Sequence, residues 1–291
     1  MMRRHRMLVP AAVLAMLLSA SRLPAAEPAA ARNKAFTEAA DAMKKELGDG
    51  FIIERTGVFV VAGDMSRRTF NRFKNRTVRD CARALARDFF DKKPDYPVRV
   101  YLFSGKASYE KWVLKLAGFK PHTPYGFYLP SQKALMMNIA TGGGTLVHEM
   151  THALADVDFP DCPTWFFEGL GSLFEQCAIA RGGHIKGRVN WRLPVLRKGG
   201  FVPIEKLIKL SDAEFRGDKE SLNYANARYL CFYLQERGLL TKFYKTFRAA
   251  HKAGTDKTGW DSFKKVIGEP PVTFERQWHA WVKTLKWPER R

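Results

Sequence analysis

Two histidines four residues apart, His148 and His152, are the side chains of this chain best suited to bind one metal ion. On a helix, residues four apart lie one turn above each other, so both imidazoles can bind a Zn²⁺ at roughly 2.0–2.1 Å. Glu149 lies about 100° round the helix from His148, where it can reach a metal-bound water without binding the metal. The spacing therefore predicts a zinc site, although a core helix with two hydrogen-bonded histidines would show the same pattern.

A catalytic zinc needs a third protein ligand and an open fourth position. Glu168 is the candidate, because it follows Phe166 and Phe167 on a second predicted helix, where a lone buried carboxylate would be costly. Binding zinc would remove that cost. Glu175, two turns further along, is a weaker candidate, and a surface position for Glu168 is the competing interpretation.

The segments HEMTHAL and PTWFFEGL together resemble the HExxH…WxxEG arrangement of the gluzincin metallopeptidases. The upstream runs VRVYLF and GFY are similar to the peptidase MA-like bacterial proteins of that clan, and the resemblance covers roughly residues 51–240. It implies that His148, His152 and Glu168 bind zinc. It also implies peptide-bond hydrolysis, in which zinc activates a water and Glu149, the general base, passes the proton to the leaving amine.

The resemblance further implies a donor for the developing oxyanion on a later helix. The segment SLNYANARY is similar to the tyrosine-bearing helix of the peptidase MA-like proteins, which indicates Tyr224, with Tyr229 and His251 as the other candidates. Gly171 and Ser172 depart from the family, because relatives often carry a small residue and then an acid there. The departure leaves this helix without the acid that would orient the ligands.

Asp156 and the strand before the metal helix complete the predicted site. Asp156 lies one turn after His152 and could orient that imidazole, although a helix-end acid facing solvent is the simpler interpretation. In gluzincins the corresponding strand edges the cleft and pairs with an extended peptide, so 134–139 is the expected substrate strand unless it is paired on both sides. The GxMEN-type motif of the gluzincin aminopeptidases is absent from the sequence, which favours an endopeptidase.

The elements that must position these residues mix strands and helices up to residue 157 and are helical beyond it. Periodicity predicts strands at 51–62, 98–103, 126–129 and 134–139, and helices at 30–47, 69–90, 108–116, 145–157, 164–178, 204–210, 221–237, 239–252, 260–267 and 273–285. We therefore predict an α+β, zincin-like fold. A first lobe, 27–157, holds a small mixed sheet and the HExxH helix at the cleft, and a helical lobe, 158–291, follows.

The first 26 residues have the pattern of a secretory signal peptide. Three arginines precede an apolar run over 7–20, and small residues follow up to Ala26. An uncleaved amphipathic helix is the alternative. No later stretch approaches the roughly 20 apolar residues of a membrane helix. The pattern predicts a periplasmic or secreted protein with no transmembrane helix after the signal peptide.

The chain is strongly basic. Its formal net charge is +20, and four arginines and no acid in the first 26 residues leave +16 for the rest. Such a charge favours anionic partners, among them acidic peptides and cell-envelope polymers. The basic residues form no run of five or six and no recognised nucleic-acid motif, so a specific nucleic-acid partner is not expected and a solvated basic surface is the simpler interpretation. The expected partner is a peptide or protein substrate.

The four cysteines are Cys81, Cys162, Cys177 and Cys231. An even number in an exported chain permits disulfides, with three connectivities. A helix from 164 to 177 would hold Cys162 and Cys177 about 20 Å apart, too far for a bond. Four buried free thiols are the alternative.

Three functions of different classes are compatible with the sequence. The first is a zinc peptidase. The second is a zinc-binding but non-peptidolytic cell-envelope protein, against which an intact Glu149 argues. The third is a basic interaction protein with an incidental motif, against which Glu168 argues. Metal analysis tests the third, and a cleavage assay with a chelator separates the first two.

Overall fold

The computed structural model describes residues 29–287, and a five-stranded mixed sheet lies at its centre. The strands are β1 (Ile52–Thr56), β2 (Phe59–Gly63), β3 (Val98–Phe103), β4 (Gly126–Leu129) and β5 (Ala134–Asn138), in the order β1-β2-β3-β5-β4. The three inner strands are parallel, and each outer strand is antiparallel to its neighbour. Both β2 and β5 are buried along their whole length, as expected for inner strands covered on both faces.

Helices cover both faces of the sheet, because alternate strand residues point to opposite sides. The helices α1 (Ala29–Leu47) and α4 (Lys106–Ala117) pack on one face. On the other face lie α2 (Arg67–Arg72), a π-helical stretch (Phe73–Asp80), α3 (Cys81–Asp88) and α5 (Gly144–Asp158). The α+β class predicted from the sequence is confirmed by this arrangement.

The second half of the chain adds helices to the α5 side of the sheet. They are α6 (Thr164–Glu175), α7 (Arg192–Gly199), α8 (Ile204–Ile208), α9 (Asp212–Phe215), α10 (Glu220–Glu236), α11 (Leu240–Lys252), α12 (Trp260–Ile267) and α13 (Pro271–Thr284). The apolar faces of α5, α6 and α10 belong to one hydrophobic core that continues to the sheet. That core fixes α5 and α6, the two helices that carry the predicted metal ligands.

The structure corrects the predicted helix 164–178. The helix ends at Glu175, and the chain enters a two-stranded hairpin of β6 (Cys177–Ile179) and β7 (Ile185–Gly187). The turn uses Gly182 and Gly183, both with positive φ, which glycine adopts without steric cost. The second half is therefore not purely helical, and the short helices α7 and α9 were not predicted either.

The expected substrate strand is also corrected. Strand β5 lies between β3 and β4 and pairs with both, so its backbone groups are not available to a peptide. The edge strand on that side is β4, which also packs against α5. Strand order depends on tertiary pairing, which hydrophobic alternation along the chain does not encode.

Two other expectations concern the termini and the thiols. The predicted signal peptide lies outside the described residues, and within 29–287 no helix has the length and apolar composition needed to cross a bilayer. All four cysteines are free thiols, two of them buried and two half-buried. Contact with the Cys177 thiol lowers the pKa of Cys81, so these two residues are neighbours.

Candidate metal centre and cleft

The helices α5 and α6 approach each other closely because glycine lies at two of their contacts. A Cβ atom at Gly171 would lie 2.9 Å from His152 Cε1 and 3.1 Å from His148 Nε2. A Cβ at Gly144 would lie 2.6 Å from the backbone oxygen of Glu175. Any side chain at these positions would separate the helices. The two glycines thus allow α6 to place a carboxylate against the imidazoles of α5.

Three side chains meet between the two helices and are positioned to hold a metal ion: His148, His152 and Glu168. Oε2 of Glu168 lies 3.2 Å from His148 Nε2 and 3.3 Å from His152 Nε2. Ligands bound at about 2.0–2.1 Å in tetrahedral geometry lie roughly 3.3 Å apart, so these separations fit one ion among three ligands. Glu168 is 5% exposed and His152 6% exposed, which makes the cluster a buried one.

Arg216 holds the other oxygen of Glu168. Arg216 directly follows α9. Its Nη2 donates a hydrogen bond to Glu168 Oε1, with 2.8 Å between the two atoms. Burial alone would raise the pKa of Glu168, but hydrogen bonds from His148 and His152 hold it well below its usual value. Burial would likewise lower the pKa of His148, but the hydrogen bond to Glu168 and the nearby negative charges together raise that pKa. The carboxylate is therefore ionised and has a fixed orientation.

The two imidazoles are supported by packing. Phe167 stacks on His152 with 4.0 Å between ring centroids and 14° between planes. Nδ1 of His152 finds no hydrogen-bond partner among residues 29–287, so Asp156 does not orient it. Asp156 is half-buried, and burial raises its pKa. It is therefore not the solvent-facing acid of the simpler interpretation either.

Glu149 lies on the cleft side of α5 and contacts the edge strand. Its Oε2 accepts a hydrogen bond from the backbone N–H of Tyr128 on β4 at 3.1 Å. Both His148 and Glu149 line a cleft of about 1490 Å³. The ligand cluster can therefore be reached from the cleft, and a carboxylate that is not part of the cluster lies beside it.

Of the three candidates for an oxyanion donor, Tyr224 lines this cleft. Its hydroxyl accepts a hydrogen bond from Arg216 Nη1 at 3.2 Å, which connects it to Glu168 through one guanidinium. Burial raises the pKa of Tyr224, so the hydroxyl keeps its proton. By contrast, Tyr229 bonds to the backbone of Asn190 in the core, and His251 packs against phenylalanines.

The other acidic candidate on α6, Glu175, lies outside the ligand cluster. Its Oε1 accepts from Trp191 Nε1 at 3.3 Å, and its Oε2 is 3.8 Å from Arg192 Nη2. Ser172 is fully buried, and its hydroxyl has no partner within the described chain. No acid lies at this point of α6 to orient the ligands. Arg216 instead donates a hydrogen bond to Glu168 and fixes its orientation.

One side of the cleft is formed by Asn190, Trp191, Arg192 and Tyr224, which we call the arginine wall. The Arg192 guanidinium lies 4.3 Å from the Trp191 ring centroid and 5.0 Å from that of Tyr224. Its Nε has no acceptor in the described part of the protein, and its side chain is 13% exposed. A buried cation between two aromatic rings thus faces the cleft.

Compared with known proteins, the sequence matches no protein-family model and no curated protein. The functional argument therefore rests on the residues that the fold brings together.

Sequence reasoning missed Arg216, Phe167, Asn190 and Arg192. A signal for Arg216 was present, because Ser211 and Glu214 form a capping box that begins α9, and Arg216 directly follows that helix. Asn190 lies between the hairpin and α7, Arg192 is the first residue of α7, and no local pattern marks either of them. Their proximity to the cleft depends on tertiary packing alone.

Proposed function

We propose that this protein is a zinc-dependent peptidase of the gluzincin type, with a zincin-like fold and an exported location. The buried cluster of His148, His152 and Glu168 beside Glu149, at an open cleft, carries the proposal. Two imidazoles and one carboxylate are the ligand set of hydrolytic zinc sites, which keep a fourth position for water or substrate. The signal-peptide pattern of the first 26 residues supports export.

Glu149 is suited to the role of general base. Bound zinc would polarise the scissile carbonyl and make a water acidic. Glu149 lines the cleft next to the ligands, and the Tyr128 N–H fixes its carboxylate, so it can accept a proton at a defined position. A carboxylate that lies outside the ligand cluster and is held by a backbone N–H has no evident role in a purely structural metal site.

Tyr224 lines the cleft and supplies a hydroxyl donor that Arg216 connects to Glu168. The Arg216 guanidinium holds the phenolic oxygen as an acceptor, which leaves the hydroxyl proton for another acceptor. A donor placed in advance where negative charge develops lowers the barrier of acyl transfer. We propose that Tyr224 donates to the oxyanion of the substrate.

The edge strand β4 is the proposed binding site for an extended substrate. It pairs with β5 on one side only, and it borders the cleft through Gly126 and Phe127. Main-chain pairing along an edge gives affinity without strict sequence preference. The cleft is open at the surface rather than enclosed, which favours an endopeptidase.

The second candidate is a zinc-binding protein of the cell envelope that cleaves no peptide. The net charge of +20 favours it, because such a surface attracts anionic polymers. The position of Glu149 beside the ligands favours the peptidase.

A Glu149→Gln substitution tests the proposal. Glutamine keeps the size and the Tyr128 contact but does not accept the proton, so peptide hydrolysis should fall by roughly 10²–10⁴-fold while zinc content is retained. Cleavage is measured on a broad peptide library with and without a chelator, and zinc by elemental analysis. A variant that cleaves at the parent rate would refute the role of Glu149. A parent protein that binds zinc and cleaves nothing would favour the second candidate.

A further inference from the structure

Two arginines near the cleft have unmet hydrogen bonds. Arg228 is fully buried; its Nη2 donates to the Arg188 carbonyl, while its Nε and Nη1 have no partner among the described residues. The Arg192 side chain is 13% exposed, and its Nε has no acceptor either. Glu175 is the carboxylate that acts on both guanidiniums, and Glu168 and Glu220 also act on Arg192. Burial lowers the pKa of Arg228 to about 10, which still leaves it charged at neutral pH.

Glu175 does not satisfy Arg192. The nearest separation, from Glu175 Oε2 to Arg192 Nη2, is 3.8 Å, which is too long for a hydrogen bond. Oε2 itself has no hydrogen-bond partner in the described structure, while Oε1 is used by Trp191. A half-buried guanidinium and a half-buried carboxylate at this distance, each with a buried atom that has no partner in the described structure, favour a site that binds a further polar group.

A second donor lies beside Arg192. Asn190 is 1% exposed and lines the cleft, and its Oδ1 accepts the backbone N–H of Arg192 at 3.0 Å. That bond assigns the oxygen of the amide, so Nδ2 is a donor, and it has no acceptor within residues 29–287. An unsatisfied buried donor destabilises the protein, and a ligand that accepts a hydrogen bond from it would remove that cost.

We propose that Arg192 and Asn190 bind a carboxylate of the substrate, which makes the arginine wall a specificity site of the proposed peptidase. Guanidinium and amide donors match the two oxygens of a carboxylate, and the aromatic rings of Trp191 and Tyr224 hold the guanidinium in its plane. Tyr224 connects the two regions, because its ring lies beside Arg192 and its hydroxyl is bonded to Arg216, which contacts Glu168. A carboxylate bound by Arg192 therefore belongs to a residue near the scissile bond. The inference rests on the proposed function for the identity of the ligand as a peptide.

The carboxylate has two sources with the same chemistry, an acidic side chain or the C-terminus of the substrate. The experiment uses three versions of one library peptide that binds the zinc-loaded Glu149→Gln protein. The first is amidated at its C-terminus and has Gln at one position, the second has Glu in place of Gln, and the third has a free C-terminal carboxylate at that position. Binding of each is measured by calorimetry to the zinc-loaded Glu149→Gln protein, and kcat and KM are measured with the parent protein.

We expect one anionic peptide to bind about 10- to 100-fold more tightly than the neutral one, the range of a charge-assisted hydrogen bond. Arg192→Gln should abolish this preference, which is measured as the ratio of KM for the neutral peptide to KM for the anionic peptide. Arg181→Gln, which removes an exposed arginine on the hairpin turn, is the matched control and should keep the preference. Preference for the Glu peptide identifies an acidic side chain, and preference for the free carboxylate identifies a C-terminus.

Glu175→Gln separates this role from a structural one. Removal of the competing carboxylate should increase the preference for the anionic peptide, whereas an arginine that serves only as the counterion of Glu175 would show no such gain. If Arg192→Gln fails to fold, Arg192→Lys replaces it, because lysine keeps the charge but loses the planar donor pair and should weaken the preference partly. Equal binding of all three peptides to the parent protein, or an unchanged preference in Arg192→Gln, would overturn the proposal. Because binding is measured without hydrolysis, a protein that prefers the anion but cleaves nothing refutes the peptidase and not the carboxylate site.

Discussion

The metal centre and the arginine wall lie along the same cleft and differ in the ion that each is built to receive. At the metal centre, two imidazoles and a carboxylate oxygen converge on one point, and a guanidinium holds the other oxygen. At the arginine wall, the Arg192 guanidinium lies 3.8 Å from Glu175 without a hydrogen bond, and Arg192 Nε and Asn190 Nδ2 have no partner among the described residues. The first arrangement is suited to a cation and the second to an anion. Buried groups with unmet hydrogen bonds thus indicate not only where a ligand binds but also its charge.

Loss of a ligand histidine should have the largest effect. We expect His148→Ala or His152→Ala to abolish stoichiometric zinc binding. The loss of zinc affinity should exceed the roughly 10–100-fold that is typical when a hydrogen-bond partner of a ligand is removed. Zinc content after dialysis is measured by elemental analysis. His122→Ala removes a histidine that also lines the cleft and should leave zinc binding unchanged. Full occupancy in both ligand variants would show that the cluster is not the metal site.

The two carboxylates of α6 provide the sharpest test of the comparison, because they lie on one helix and contact different groups: Glu168 the two imidazoles, and Glu175 the arginine wall. Glu168→Ala should weaken metal binding strongly, since Glu168 Oε2 contacts both imidazoles. Glu175→Ala should leave metal binding intact, since Glu175 faces Trp191 and Arg192. Competition with a chromogenic chelator measures both affinities. A Glu175 variant that loses zinc while Glu168→Ala retains it would reverse the assignment.

Tyr224 belongs to both regions and should affect them differently. Tyr224→Phe removes the hydroxyl near Glu168 but keeps the ring beside Arg192. Turnover should fall by about 10²-fold, the lower end for one oxyanion donor, with zinc content and KM for anionic peptides unchanged. Steady-state kinetics on the same peptides make the measurement. A change in KM alone would indicate that the tyrosine binds substrate and does not act on the oxyanion.

The smallest expected effect concerns Arg216 and the metal-free protein. Without a metal, Arg216 is the permanent cation that contacts buried Glu168, so Arg216→Gln should destabilise that state by about 1–2 kcal/mol, discounted because the arginine is half-exposed. A bound ion would replace this compensation, so the zinc-loaded protein should lose less. Thermal unfolding with and without a chelator measures the difference. Arg237→Gln, which breaks a similarly exposed pair with Glu269, should affect both states equally.

The sequence predicts the metal centre well because its geometry is local. His148 and His152 are one helical turn apart, and Glu168 lies on the next helix. The apolar neighbours of Glu168 in the sequence predict that it is buried. The arginine wall is not predictable in this way, since Arg192 and Tyr224 come from separate elements and meet through packing. The resemblance to gluzincins indicated 134–139 as the substrate strand, but that strand is paired on both sides. Alternation predicts a strand, while its neighbours depend on the order of the whole sheet.

The hydrogen bond from the Tyr128 amide to Glu149 has a spectroscopic consequence. The amide proton of Tyr128 lies directly on the carboxylate oxygen, so its NMR chemical shift responds to the ionisation of Glu149. A single resonance of the main chain would therefore follow the charge of the proposed base during a pH titration, with no label on the side chain. A peptide that pairs with β4 would move the same resonance, and hydrogen exchange at this amide would slow as the complex forms.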